Sequence, residues 1–138
     1  MTEYPKKIAI LGAGAIGAAL AVTLSAHNAP ITLLLKAHPS LPKDATFNLI
    51  TPDKALQQTI HCQSTQEAKN IDWLIVSTKC HDLPQALIDI QPHLTPETHV
   101  FFIQNGLDAL TLTQPLLGQA RCTLCACFFG AYQRDAHT

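Results

Sequence analysis

Charged side chains are scarce in this chain of 138 residues. Asp, Glu, Lys and Arg make up 14% of the sequence, whereas about 25% is typical of globular proteins. The formal net charge is only −1, so the charge balance does not favour binding to nucleic acid or to an anionic membrane. Because the surface carries so little charge, we expect part of it to be covered by another domain or by a partner subunit.

Disulfide and zinc-binding patterns are also missing. The sequence has 5 cysteines, an odd number without the spacing of a disulfide framework, which favours a reducing, cytoplasmic environment. Cys122, Cys125 and Cys127 fall in one apolar run and have no second pair of ligands at a distance. We interpret them as core side chains and predict no metal site.

One uncharged stretch, residues 8–35, is long enough for a membrane span and follows two lysines, as the apolar part of a signal peptide does. It nevertheless contains Gly12, Gly14, Gly17, Asn28 and Pro30, which would interrupt a continuous apolar helix. We interpret the stretch as a strand, a helix and a second strand, joined by turns and buried inside an α/β core. We therefore expect neither an export signal nor a membrane span.

Strand-like and helix-like segments alternate along the whole chain. The predicted strands cover residues 6–11, 31–35, 72–77, 99–103 and 121–129, and the predicted helices cover residues 15–27, 83–90 and 109–117. Between the second and third of these strands, the short runs 47–50 and 59–63 predict a hairpin or small meander in place of a helix. This order favours a single α/β domain over residues 1–138, doubly wound, with a mostly parallel sheet and helices on both faces.

A glycine motif joins the first predicted strand to the first predicted helix. It reads Gly12-Ala13-Gly14-Ala15-Ile16-Gly17, which is the G-x-G-x-x-G pattern of Rossmann-type domains. The first glycine permits a tight turn, the second leaves room for a pyrophosphate at the backbone, and the third lets helix and strand pack closely. The helix N-terminus adds N–H groups and a positive dipole end. We therefore predict a dinucleotide at Gly12, Gly14, Ala15, Ile16 and Gly17; a tight turn without a ligand is the alternative.

The end of the second predicted strand bears on the choice of dinucleotide. Enzymes specific for NADH usually carry Asp or Glu there, bonded to the ribose 2′-hydroxyl, but this chain has Lys36. A lysine attracts a 2′-phosphate as a point charge, and Lys43 is available from the following loop. The sequence therefore predicts NADPH rather than NADH, with a merely solvated Lys36 as the alternative.

Four segments together resemble the ketopantoate reductase (2-dehydropantoate 2-reductase) family. They are IAILGAGAIGAAL, the lysine after the second strand, DWLIVSTK and FIQNGL. The resemblance covers nearly the whole chain and corresponds to the N-terminal, cofactor-binding half of that enzyme. It implies an NADPH-dependent oxidoreductase that reduces a 2-keto acid, 2-dehydropantoate, to pantoate in the biosynthesis of pantothenate and coenzyme A.

The resemblance also assigns roles to single residues. Lys36 takes the basic position beside the 2′-phosphate, Lys79 faces the bound cofactor from a strand end, and Asn105 positions the nicotinamide and the substrate, which is a catalytic role. Ligands bind at the carboxyl ends of parallel strands, which agrees with the place of Lys79. Taken on position alone, a solvated strand-end lysine is the alternative for Lys79, and Asn105-Gly106 is equally explained as a plain turn.

Two features depart from the family pattern. Asp108 stands where the family commonly has a further glycine. The family's proton-donating lysine and substrate-binding glutamate belong to a C-terminal helical domain, and this domain is absent from a chain that stops at Thr138. We therefore expect the isolated chain to bind NADPH without appreciable reductase activity. A non-catalytic nucleotide-sensing module, such as the regulatory domains of potassium transport systems, and a degenerate, truncated reductase are the alternatives.

Overall fold

The computed structural model describes residues 6–12, 14–36, 42–78, 82–103 and 121–125, together with residues 131 and 134. The strands are β1 (Ile8–Leu11), β2 (Ile31–Leu35), β3 (Asp44–Ile50), β4 (Ala55–Ser64), β5 (Trp73–Val76), β6 (His99–Ile103) and β7 (Arg121–Cys125). The helices are α1 (Ala15–Ala26) and α2 (Leu83–Ile90), with short 3-10 turns at Thr65–Glu67 and Gln91–His93. The helix predicted at residues 109–117 and the last part of the strand predicted at residues 121–129 lie outside the described residues.

The described strands form one sheet in the order β3-β4-β2-β1-β5-β6-β7. Only the β3–β4 pair is antiparallel, and every other neighbouring pair is parallel. When the edge strand β3 is set aside, the six parallel strands follow the order 3-2-1-4-5-6, which defines the Rossmann arrangement. The predicted doubly wound α/β fold is therefore confirmed. The predicted hairpin is also confirmed: it consists of β3 and β4, and β4 is at the same time a parallel neighbour of β2.

Both faces of the sheet are covered by helix, because alternate residues of a strand point to opposite sides. On one face, Ile8 and Ile10 of β1 pack with Ala21 and Val22 of α1. On the other face, Ala9 and Leu11 of β1 pack with α2. This helix buries the apolar side chains Leu83, Leu87 and Ile90. This double burial explains why β1 and β2 are continuous apolar runs rather than alternating ones.

The ends of α1 follow from local backbone chemistry. The helix begins within the glycine motif, directly after Gly14, and stops where the N–H groups of His27 and Asn28 bond back to the carbonyl groups of Leu24 and Ser25. Asn28 adopts a left-handed φ of 65°, a conformation that asparagine tolerates at helix ends. The uncharged residues 8–35 are thus divided into β1, α1 and β2, as predicted. Among the described residues, no helix is both long and apolar enough to span a membrane.

Candidate functional site

A cleft of about 470 Å³ opens where the carboxyl ends of β1, β2, β4 and β5 come together. Between β1 and β5 the winding of the sheet reverses, because β1 continues through α1 to one side and β5 continues through α2 to the other. In open α/β sheets, ligands bind at this topological switch point. The cleft is lined by Leu11, Gly12, Gly14, Leu34, Leu35, Lys36, Thr65, Ser77, Thr78, Asp82, Gln85, Ala86 and Asp89.

The three glycines of the motif have different surroundings. Gly12 has a φ of +111°, and a Cβ there would lie 3.1 Å from the backbone nitrogen and Oγ1 of Thr78. A Cβ on Gly17 would overlap the carbonyl oxygen of Gly12 and lie 2.6 Å from Ser77 Oγ. Turn geometry and close packing therefore account for these two glycines, as the motif predicts.

Gly14 is not required by packing. It is exposed and has extended backbone angles, and no atom lies within 4 Å of the position of an added Cβ. It is the N-cap of α1, where no side chain caps the helix and no acidic residue occupies the first turn. The described residues thus leave space and a positive helix end beside Gly14. Ala15 and Ile16, also expected near the phosphates, are half-buried in the first turn of α1.

Two hydroxyl groups from the end of β5 support the glycine loop. Ser77 Oγ donates to the carbonyl oxygens of Leu11 and Gly12 at 3.4 and 3.3 Å. Thr78 Oγ1 donates to the carbonyl oxygen of Leu11 at 3.2 Å. These contacts, which the sequence analysis did not anticipate, fix the turn after β1 to the neighbouring strand. The only sequence signal for them is a pair of hydroxyl residues directly after an apolar strand.

Lys36 lies at the end of β2, exposed on the rim of the cleft. Its neighbour across the rim is Thr65, whose Oγ1 donates to the carbonyl oxygen of Leu35 at 3.2 Å and so ties the end of β4 to the end of β2. No ion pair forms between Lys36 and any other described residue. Lys43, the other predicted contributor, is exposed just before β3 and is not among the residues that line the cleft.

One wall of the cleft is the polar face of α2, which the sequence analysis did not single out. Asp82, Gln85, Ala86 and Asp89 recur at intervals of three and four residues and therefore share one side of the helix. Gln85 Nε2 donates to Asp89 Oδ1 at 2.9 Å. An amphipathic pattern in residues 82–90 is visible in the sequence, but it does not reveal that the polar side borders a cleft.

Two other predicted site residues, Lys79 and Asn105, lie outside the described residues, so their roles stay predictions. The same holds for the position of Ala13, Gly106 and Asp108, which are also outside the described residues.

The described cysteines are free thiols. Burial, followed by the Asp44 carboxylate, raises the pKa of Cys62, and burial raises the pKa of Cys122. Both groups are therefore held as neutral thiols that pack against the apolar clusters.

Comparison with known proteins agrees with the fold. A sequence profile of the family described as ketopantoate reductase PanE/ApbA matches residues 8–138. A protein of Schizosaccharomyces pombe described as a probable 2-dehydropantoate 2-reductase is 31% identical over 116 residues, covering 75% of this chain and 33% of the relative. Glycerol-3-phosphate dehydrogenase [NAD(P)+] of Aeromonas hydrophila is 32% identical over 109 residues, covering 73% of this chain and 32% of the relative.

The similarity extends to three-dimensional structure. The crystal structure of a probable 2-dehydropantoate 2-reductase from Bacillus subtilis superimposes with a TM-score of 0.76 at 19% identity, covering 95% of this chain and 44% of that one. The chain spans about a third of the length of the S. pombe and A. hydrophila relatives. It belongs to the ketopantoate reductase PanE/ApbA family and corresponds to the N-terminal domain of that family.

Proposed function

We propose that this chain is the NADPH-binding part of an oxidoreductase that reduces a 2-keto acid, 2-dehydropantoate, to pantoate in pantothenate biosynthesis. One observation carries the choice of cofactor: Lys36, and not a carboxylate, stands exposed at the end of β2 on the rim of the cleft. A carboxylate at this position would accept hydrogen bonds from an unmodified ribose and would repel a 2′-phosphate. A lysine favours the phosphate.

The residues of the cleft fit such a cofactor. The uncapped N-terminus of α1 and the open space beside Gly14 suit the pyrophosphate, since unpaired N–H groups and a positive dipole end attract an anion. Ser77 and Thr78 hold the glycine loop in place before any ligand arrives, so little ordering is needed on binding. When bound, NADPH supplies a hydride for reduction of the keto group.

The substrate side of the reaction needs a group that acts on the keto oxygen. Reduction of a keto group places negative charge on its oxygen, which requires a proton donor or an electrostatic stabiliser in the site. The described lining of the cleft includes the acidic residues Asp82 and Asp89 and one lysine, Lys36, which we assign to the 2′-phosphate. Because the chain spans 33% of the fission yeast relative, we assign the complete reaction to this chain together with a second domain.

Cofactor preference provides the direct test. We expect fluorescence titration to give tighter binding of NADPH than of NADH. Lys36→Asp should weaken NADPH binding about 10- to 100-fold, because hydrogen bonds to charged groups contribute about 1.5–3 kcal/mol. Lys54→Asp is the matched control, since it makes the same charge change at an exposed lysine between β3 and β4, outside the cleft lining, and it should leave both affinities unchanged. Equal affinities for the two cofactors that do not respond to Lys36→Asp would refute the proposal.

A further inference from the structure

The apolar side of α2 holds its polar side firmly against the cleft. Leu83, Leu87 and Ile90 are at most 2% exposed and pack into the cluster beneath the sheet. The opposite side presents Asp82, Gln85 and Asp89 to the cleft. The carboxamide of Gln85 is therefore attached to a rigid element and does not depend on a loop for its position.

Gln85 borders a cleft whose lining is partly apolar. Leu11, Leu34, Leu35 and Ala86 contribute to it, and Lys36 lies directly after this part of β2. Flat aromatic ligands bind against apolar side chains, with a few polar groups that fix their orientation. Since a 2′-phosphate held by Lys36 belongs to an adenosine, the base on the same ribose has to lie near the end of β2. The apolar part of this cleft provides room for that base.

Asp89 determines which end of the Gln85 carboxamide is available. Gln85 Nε2 donates to Asp89 Oδ1 at 2.9 Å, and an ionised carboxylate can only accept hydrogen bonds. The opposite orientation would place the amide oxygen against the carboxylate and is unfavourable. Gln85 Oε1 therefore points away from Asp89, and within the described part of the chain no donor reaches it.

From these contacts we propose that Gln85 is a specificity residue that recognises the adenine base by accepting a hydrogen bond from its exocyclic amine at Oε1. Asp89 is a positioning residue that holds the carboxamide in this orientation. The proposal rests on the proposed function, because it requires an adenine dinucleotide in the cleft. Hypoxanthine carries an oxygen where adenine carries the amine, so two acceptors would face each other and the analogue would be rejected.

The experiment compares each reduced cofactor with its hypoxanthine analogue by fluorescence titration: NADPH with deamino-NADPH, and NADH with deamino-NADH. We expect the wild-type chain to prefer adenine by about tenfold in both pairs, which corresponds to one lost and mismatched hydrogen bond. Gln85→Leu should reduce the ratio to near one. Asp89→Asn should also reduce it, because an amide at residue 89 no longer fixes the orientation of its neighbour.

Gln91→Leu is the matched control, since it removes the same side chain just beyond α2 and outside the cleft lining; it should keep the tenfold ratio. Thermal unfolding of each variant identifies any loss of fold. If Asp89 had only a structural role, Asp89→Asn would not change the ratio of adenine to hypoxanthine affinity. A wild-type ratio near one, or a ratio that survives Gln85→Leu, overturns this proposal alone if NADPH still binds. Failure of every cofactor to bind overturns it together with the proposed function.

Discussion

At the scale of single residues, the glycine motif combines two structural glycines with one that packing leaves unexplained. Gly17 lies so close to the turn that an added Cβ would overlap the carbonyl oxygen of Gly12. Gly14 has ordinary extended angles and open space around it. The same amino acid is therefore required by the fold at one position and, in our proposal, by a ligand at the other.

This difference yields a paired prediction. Gly14→Val should lower the free energy of unfolding by no more than about 1 kcal/mol, because valine is a poorer N-cap than glycine. It should abolish cofactor binding, because the new side chain would occupy the place of the pyrophosphate. Gly17→Ala should lower the free energy of unfolding by about 1–3 kcal/mol through overpacking. Urea denaturation and fluorescence titration measure the two effects. If the Gly14 variant is folded and binds normally, the phosphates are not held at this turn.

At the scale of elements, α2 connects the core to the cleft. One side of this helix fills the apolar cluster, and the other carries the polar residues that border the cleft. Loss of core packing should therefore disturb the position of Gln85 as well as stability.

A pair of adjacent substitutions tests this division. Leu87 is fully buried whereas Ile88 is 50% exposed, so Leu87→Ala should lower the free energy of unfolding by about 2–5 kcal/mol. Ile88→Ala should change it by less than about 0.5 kcal/mol. Chemical denaturation gives both values, and similar losses for the two variants would show that the helix does not present this face to the core.

The sequence predicts some elements much better than others. The bounds of β2, α2 and β6 agree with the predicted ones, because apolar runs and flanking prolines mark them clearly. In contrast, β3 and β4 are longer than the predicted runs 47–50 and 59–63. Polar residues such as Gln57 and Gln58 join β4 because pairing with β3 satisfies their backbone, and no local pattern signals this. The cleft-facing role of Gln85 likewise depends on how α2 crosses the sheet.

At the scale of the whole molecule, the described residues form six parallel strands in the Rossmann order, and the chain spans about a third of the length of the fission yeast relative. We predict that it binds NADPH but turns over 2-dehydropantoate well below about 1 s⁻¹, the lower end of ordinary enzyme rates. A reduction of this kind that proceeds without a general acid is about 10²- to 10⁴-fold slower. Loss of NADPH absorbance at high protein concentration measures the rate. Ordinary turnover would show that the 138 residues contain the proton donor, and Lys79→Ala would then have to abolish it.

The central position of β1 has a consequence for synthesis on the ribosome. Lys7 and Asp72, whose hydrogen bond lies beside the start of the β1–β5 pair, are separated by 65 residues. At translation rates of about 5–20 residues per second, one edge of the apolar strand β1 remains unpaired for several seconds after it leaves the exit tunnel. Until β5 is translated, the nascent chain presents an open β-edge, the kind of surface that chaperones shield and that aggregates when left exposed. Chains terminated between β2 and β5 should therefore accumulate as insoluble protein.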